Sequence, residues 1–275
     1  MSKNSFRNKH VVATGGNSGL GLALARALAG EGARLTLVAR NAERLAAAAL
    51  EIQAEHPGVV IATRPLDVTD EAATRVAMDA IAKAQGGIDA LVNNAGIMHE
   101  GYFEEIPSEA FRQVMDVNYF GVLNATRAAL PHLRAAQGRL INVASIGGMI
   151  GAFGYTPYCP AKYALIGLSG CLRYELEPMG IKVQVVCPAE FDSPMVDALD
   201  ANRTPENRAH VLTIPKASVE AIVTDVMKGL ATDRYEIVPT RLARATVKLS
   251  RLAPSLVRRT GDRAIAKVYR GPAGA

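Results

Sequence analysis

His10-Val11-Val12-Ala13-Thr14-Gly15-Gly16-Asn17-Ser18-Gly19-Leu20-Gly21 decides the fold of this 275-residue chain. An apolar run of strand length ends in a glycine-rich turn. From Leu22 to Leu28 apolar residues then recur at helical spacing until Gly30 and Gly32 stop them. Glycines in that turn permit a tight bend and close backbone approach, and the start of the helix presents unpaired N–H groups to a pyrophosphate. Taken alone the pattern is a structural turn, but the strand before it and the helix after it select the phosphate site. Gly15, Asn17, Ser18, Gly19, Leu20 and Gly21 are therefore candidate cofactor ligands.

Working outward, the same alternation continues. Arg34 to Ala39 predicts a second strand, Asn41 to Glu55 an alanine-rich helix, and Val59 to Thr63 a third strand leading into Leu66-Asp67-Val68. Thr69 or Asp70 caps a helix running to Gln85, Ile88 to Asn93 is a strand, and Ser108 caps a long helix to Ala136. Strands follow at Gly138 to Ala144, Ile181 to Cys187 and Tyr235 to Val238, with helices at Pro157 to Glu177 and, capped by Ser218, at Ser218 to Leu230. This order predicts an α/β fold, a doubly wound parallel sheet of about seven strands with helices on both faces. Met195 to Pro215 stands outside the alternation, a polar, proline-bearing connection that either closes over substrate or forms a disordered surface loop.

Composition narrows the function. A hydrophobic fraction of 49% suits one large α/β domain, and no stretch reaches the roughly 20 apolar residues of a membrane span. Met1 to His10 is polar and basic with no apolar signal core, so a cytoplasmic protein is expected. Three cysteines without ligand spacing and five unclustered histidines speak for free thiols and against a metal site. The net charge of +5 suits an anionic cofactor or surface, while the absence of tryptophan and of aromatic-basic interleaving speaks against nucleic acid.

Tyr158 and Lys162 stand four residues apart, a spacing that puts both on one helix face. A lysine ammonium there favours the ionised form of the phenol, which then exchanges a proton with an alcohol or ketone near neutral pH. Alone, the pair reads as a half-buried helix face, Ser145 as a helix cap and Asn118 as a mid-helix polar residue. Cofactor choice turns on the end of the second strand, where an acid hydrogen-bonds the ribose hydroxyls of NAD. In Leu37-Val38-Ala39-Arg40-Asn41 that acid is missing and Arg40 offers a guanidinium to a 2′-phosphate. NADP(H) is thus expected over NAD(H), with Arg40 and Asn41 beside it; the other reading of Arg40 is a solvated strand-end charge. Asp67 and Val68 are placed to meet the adenine ring, although Asp67 serves equally as an N-cap.

Taken together, the glycine segment Thr14 to Gly21, Asp67-Val68, Asn93-Asn94-Ala95-Gly96, Asn118, Ser145, Tyr158 with Lys162, and Pro188 through Met195 resemble the short-chain dehydrogenase/reductase family. The matches are in order and span residues 8 to 240. The resemblance implies a single Rossmann-type catalytic domain over 1–240, and the residue pattern beyond it makes 241–275 a basic, helical extension. It implies Tyr158 as the acid in ketone reduction and the base in alcohol oxidation, and Lys162 on the nicotinamide ribose, lowering the tyrosine pKa. Ser145 would hold the substrate oxygen, and Asn118 a water through which Lys162 is reprotonated. Asn94, Ala95, Gly96, Pro188 and Phe191 would border the cofactor, with Ser193 on the nicotinamide carboxamide. Two departures stand out. Pro160 lies where the family more often has serine or alanine, which places Tyr158 near a helix start. Ala189-Glu190 replaces the glycine of the family's Pro-Gly.

The substrate walls are expected from Ile97 to Phe103, Ile146 to Thr156 and the Met195 to Pro215 segment, largely apolar and suited to a hydrophobic ketone or alcohol. Leu37 to Asn41 and Asp192-Ser193-Pro194 also resemble the lipid-ketone branch of the family, such as 3-ketosphinganine reductases. In the extension, Arg241, Arg244, Lys248 and Arg251 recur at helical spacing beside Leu242, Ala245, Leu249 and Leu252. That element either lies on an anionic membrane surface or packs its leucines on the domain or a neighbouring subunit. A cofactor-binding regulatory protein without turnover is a further reading, although such proteins lose the tyrosine or lysine that this chain keeps. The family resemblance implies a homodimer or homotetramer built on the helices at 108–136 and 157–177, where Gly167, Ser169 and Gly170 either permit close contact or face the sheet.

Overall fold

Seven short apolar segments, β1 (His10–Thr14), β2 (Arg34–Ala39), β3 (Ile61–Pro65), β4 (Ala90–Asn93), β5 (Arg139–Val143), β6 (Lys182–Val186) and β7 (Glu236–Ile237), pair in parallel in the order β3-β2-β1-β4-β5-β6-β7. The structure, a computed structural model, describes residues 6–270. The first residues of the polar leader and the last five of the extension lie outside the described residues. Both faces of the sheet are covered, which is why its central strands are continuous apolar runs.

Alternate strand residues separate the two faces. Val11, Ala13, Leu35 and Leu37 pack with α1 (Gly19–Gly30), α2 (Ala42–Glu55) and α9 (Val219–Ala231) through Leu24, Leu28, Leu45, Ile52, Ile222 and Val226. Val12, Leu91 and Leu140 pack with α3 (Glu71–Gln85), α5 (Gly121–Ala136) and α6 (Tyr158–Leu176) through Met78, Ala125, Ala129, Leu133 and Leu176. The chain reverses its winding at β1, which has β2 on one side and β4 on the other, so a crevice opens above the C-terminal ends of β1 and β4. Local capping agrees with composition at three helices: Asn41, Asp70 and Ser218 accept from the backbone N–H of Arg44, Ala73 and Ala221.

Three elements differ from expectation. The long helix at 108–136 is interrupted: α4 (Ser108–Met115) is followed by a π-helical turn over Asp116–Phe120 before α5 begins. Ser108 is its first helical residue, after Pro107, and makes no cap. The Met195 to Pro215 connection is mostly helical, with α7 (Pro194–Asp200) and α8 (Pro205–Val211). Each follows a hydroxyl cap and a proline, Ser193-Pro194 and Thr204-Pro205, whose side chains accept from Val196 and Asn207 N–H. That pairing of N-cap and first-turn proline is a helix start, which the polar composition of the segment concealed. In the extension, α10 (Arg241–Leu252) and α11 (Pro254–Arg270) form a helical pair. Ala243 and Val247, not the leucines, enter a cluster with Val185, Cys187 and Val238, while Leu242, Leu249, Leu252 and Leu256 are exposed.

Candidate active site

Above β1 and β4 lies a cavity of about 620 Å³. At one end the glycine loop forms its floor. Gly15 has φ +63°, a conformation that side chains rarely adopt, and a Cβ on Gly21 would sit 2.2 Å from the Gly15 carbonyl oxygen. Thr14 Oγ1 accepts from the N–H groups of Asn94 and Ala95, both at 3.1 Å, and Asn94 Nδ2 donates to the Gly15 carbonyl at 3.1 Å. The loop after β1 and the end of β4 are therefore one rigid unit. Gly15, Asn17, Ser18, Gly19, Leu20, Asn94, Ala95 and Gly96 line the cavity, with Gly21 packed beneath.

Arg40, Asn41, Asp67 and Val68 line the same end. The Arg40 guanidinium is 70% exposed and 4.0 Å from the Asp67 carboxylate. Asn41 spends its side-chain oxygen on the α2 cap, and Asp67 Oδ1 accepts from the N–H and hydroxyl of Thr69 at 3.0 and 2.8 Å. Arg44, in the first turn of α2, also lines this end. No helical spacing links it to Arg40, which lies before the Asn41 cap of α2, so only the folded turn brings the two together.

At the other end Tyr158, Lys162, Ser145, Pro188, Phe191 and Ser193 meet. Tyr158 is the first residue of α6, and Pro160 falls within the first turn, where its missing N–H costs nothing. Ser145 both caps the short 3-10 turn at Ile146–Gly148, accepting from Gly147 N–H at 3.0 Å, and faces the cavity. Lys162 is buried and donates to the Val143 carbonyl at 3.0 Å. Its ammonium lies 5.6 Å from the Tyr158 ring centroid, and burial lowers its pKa to about 8. The phenol departs from the expected depression: burial raises it above its ordinary value, and Ser145 acts in the opposite direction. At this distance the ammonium does not offset the loss of solvent around the hydroxyl.

Asn118 lies on the π-helical turn and is fully buried, outside the cavity lining. Its Nδ2 donates to the Ile97 carbonyl at 2.8 Å and its Oδ1 accepts from Ile97 N–H at 2.9 Å, so both ends of the side-chain amide are tied to the backbone of Ile97. A Cβ on Gly96 would lie 2.8 Å from Asn118 Oδ1 and 3.7 Å from Lys162 Nζ. Asn118 is thus packed through Gly96 against the lysine.

Glu190 belongs to a buried charge network that no local pattern announces. Its Oε2 accepts from Arg203 Nη2 at 2.9 Å and from the Tyr155 hydroxyl at 3.2 Å. Arg203, whose side chain is 0% exposed, is also 3.0 Å from Asp200, which Lys216 reaches at 2.7 Å. The Tyr155 ring meets the Tyr158 ring edge-on, with centroids 5.7 Å apart. This network joins the end of β6 to the α7–α8 segment beside the tyrosines.

A family model described as short chain dehydrogenase matches residues 9–204. The chain belongs to the short-chain dehydrogenase family. Among its relatives, a 3-dehydrosphinganine reductase of Danio rerio is 34% identical over 236 residues, covering 82% of this chain and 70% of that protein. A short chain dehydrogenase/reductase from Burkholderia phymatum, solved in complex with NAD, superposes with a TM-score of 0.81 at 25% identity, covering 93% of this chain and 96% of that one. Levodione reductase superposes with a TM-score of 0.79 at 28% identity, over 87% and 99% of the two chains. As a short-chain dehydrogenase the protein is an oxidoreductase of keto and alcohol groups whose fold binds a nicotinamide cofactor. The residues present fit that group: a backbone cradle too tight for a Cβ under the phosphates, guanidinium groups at one end of the cavity, and a phenol and an ammonium at the other. Among the described residues no cluster suited to a metal ion occurs, and no helix is long and apolar enough to cross a membrane.

Proposed function

We propose that the protein reduces a hydrophobic ketone to a secondary alcohol with NADPH. The observation that carries this reading is the meeting of Tyr158, Ser145 and Lys162 in one cavity whose far end carries Arg40 and Arg44. When bound, the dinucleotide supplies hydride at its nicotinamide ring. Ser145 holds the substrate oxygen with its hydroxyl, and Tyr158 donates its phenolic proton to that oxygen. The phenol holds its proton at neutral pH and so is available as the donor. Lys162 binds the nicotinamide ribose, while Asn118 supports it from behind through Gly96. Pro188, Phe191 and Ser193 flank the nicotinamide, with Asn94 and Ala95 along the cofactor. Arg40 and Arg44 take a 2′-phosphate, and this favours NADP(H) over NAD(H).

Tyr158→Phe, assayed with a panel of ketones by loss of NADPH absorbance, is expected to lose at least a thousandfold in kcat while NADPH affinity stays within a few-fold. Tight NADPH binding by the native protein without turnover of any ketone or alcohol would replace this reading by that of a non-catalytic binding protein.

A lipid ketone at a membrane surface is the second reading, supported by the exposed Leu242, Leu249, Leu252 and Leu256 among the basic residues of α10 and α11. Co-sedimentation with anionic liposomes, compared with a chain ending at Thr240, tests it; equal binding refutes it. For a homodimer or homotetramer, the exposed Gly167 and Tyr163 on α6 are the proposed contact face, since Ser169 points inward to Asn142.

A further inference from the structure

The family match ends at residue 204, yet the cavity continues past it. Beyond Tyr158 its wall is carried on by Val211 and Ile214 at the end of α8, then by Thr246 and Leu249 on α10 and Val257 on α11. The helical pair is anchored to the sheet through Ala243 and Val247. α11 approaches α8 so closely at Gly261 that a Cβ there would lie 2.5 Å from His210 Nε2. Leu249 is 43% exposed at the edge of that wall, and outside the cavity Leu252 and Leu256, 85% and 50% exposed, continue the apolar surface around the α10–α11 turn.

We infer that α10 and α11 form the distal half of the substrate site and bind an unbranched apolar chain attached to the reacting ketone, entering past the exposed leucines. This inference rests on the reductase reading. Apolar burial contributes about 0.8 kcal/mol per methylene, which is about a fourfold gain in kcat/KM for each carbon that the wall covers. A substrate limited to the part of the cavity beside Tyr158 gains nothing from them.

The test is NADPH-dependent reduction of straight-chain methyl ketones from 2-butanone to 2-dodecanone by the full chain and by two variants. Val257→Asp charges the wall and Thr246→Trp fills it. In the native protein kcat/KM is expected to climb with chain length. In both variants 2-dodecanone loses at least tenfold while 2-butanone stays within twofold. Equal dependence on chain length in all three proteins would overturn the inference and leave the reductase reading intact. A second measurement needs no turnover: binding of straight-chain alcohols to the NADPH-loaded protein, read by nicotinamide fluorescence. Chain-length-dependent alcohol binding that Val257→Asp abolishes, together with no ketone reduction, would sustain the wall and sink the reductase reading. Alcohol binding that is indifferent to chain length refutes the wall.

Discussion

Lys162→Met is expected to make the protein more stable while removing its turnover. Burial holds the Lys162 ammonium down from its ordinary 10.5 to about 8, and that depression corresponds to roughly 3 kcal/mol set against folding when the group is charged. The sign follows from proton counts. Below pH 8 the folded and unfolded chains both carry the proton, so the folded state bears the full cost. Between about 8 and 10.5 the unfolded chain still holds a proton that the folded chain has released, and stability rises with pH. Above that window both are neutral and the cost is gone. Methionine removes the charge at similar length but loses the hydrogen bond to the Val143 carbonyl, worth about 1 kcal/mol. The net gain at pH 7 is about 2 kcal/mol, or roughly 4–8 °C in Tm for a chain of this size. Cys187, the neighbour whose charge couples to Lys162, is pushed up to about 12 by burial and stays neutral through the window. Thermal or urea unfolding followed by circular dichroism at pH 7 and pH 10 reads the difference, which should shrink at the higher pH. A variant no more stable than the native protein at pH 7, or a gap that is the same at both pH values, would refute the reasoning.

Other expectations follow from the same geometry. Ketone reduction should hold steady below pH 8 and decline above it, as Lys162 loses the proton that binds the ribose and resupplies Tyr158; a pH profile of kcat checks this. Arg40→Asp should lower the ratio of NADPH to NADH use by about tenfold or more, the value of a lost charge-assisted contact, and adding Arg44→Asp should lower it further. An unchanged ratio of kcat/KM values would remove both residues from cofactor choice. Glu190→Ala leaves the buried Arg203 guanidinium with Asp200 alone and is expected to cost about 3 kcal/mol of stability by denaturant titration. A cost within the scatter of surface substitutions would show the network to be idle.

Much of the architecture could be read locally. The strand, glycine turn and helix at residues 10–28, the caps at Asn41, Asp70 and Ser218, and the alternation of seven strands all arise from contacts a few residues apart. The segment from Met195 to Pro215 misled because its helices are only seven residues each, although Ser193-Pro194 and Thr204-Pro205 mark both starts. The π-helical turn under Asn118 had no visible signal, since a single extra backbone residue in a helix barely changes its apolar pattern.

By itself the sequence determined the alternation of strands and helices, the glycine turn and the spacing of Tyr158 and Lys162, because each depends on backbone geometry within a turn or two. Tertiary structure alone decided the electrostatics and the shape of the site. Burial, not the neighbouring ammonium, governs the Tyr158 phenol. Tyr155 and Glu190 meet across 35 residues of chain, and α10 and α11 return from beyond β7 to wall the cavity. Desolvation and long-range packing are sums over neighbours brought together only when the sheet closes, and no local pattern encodes them.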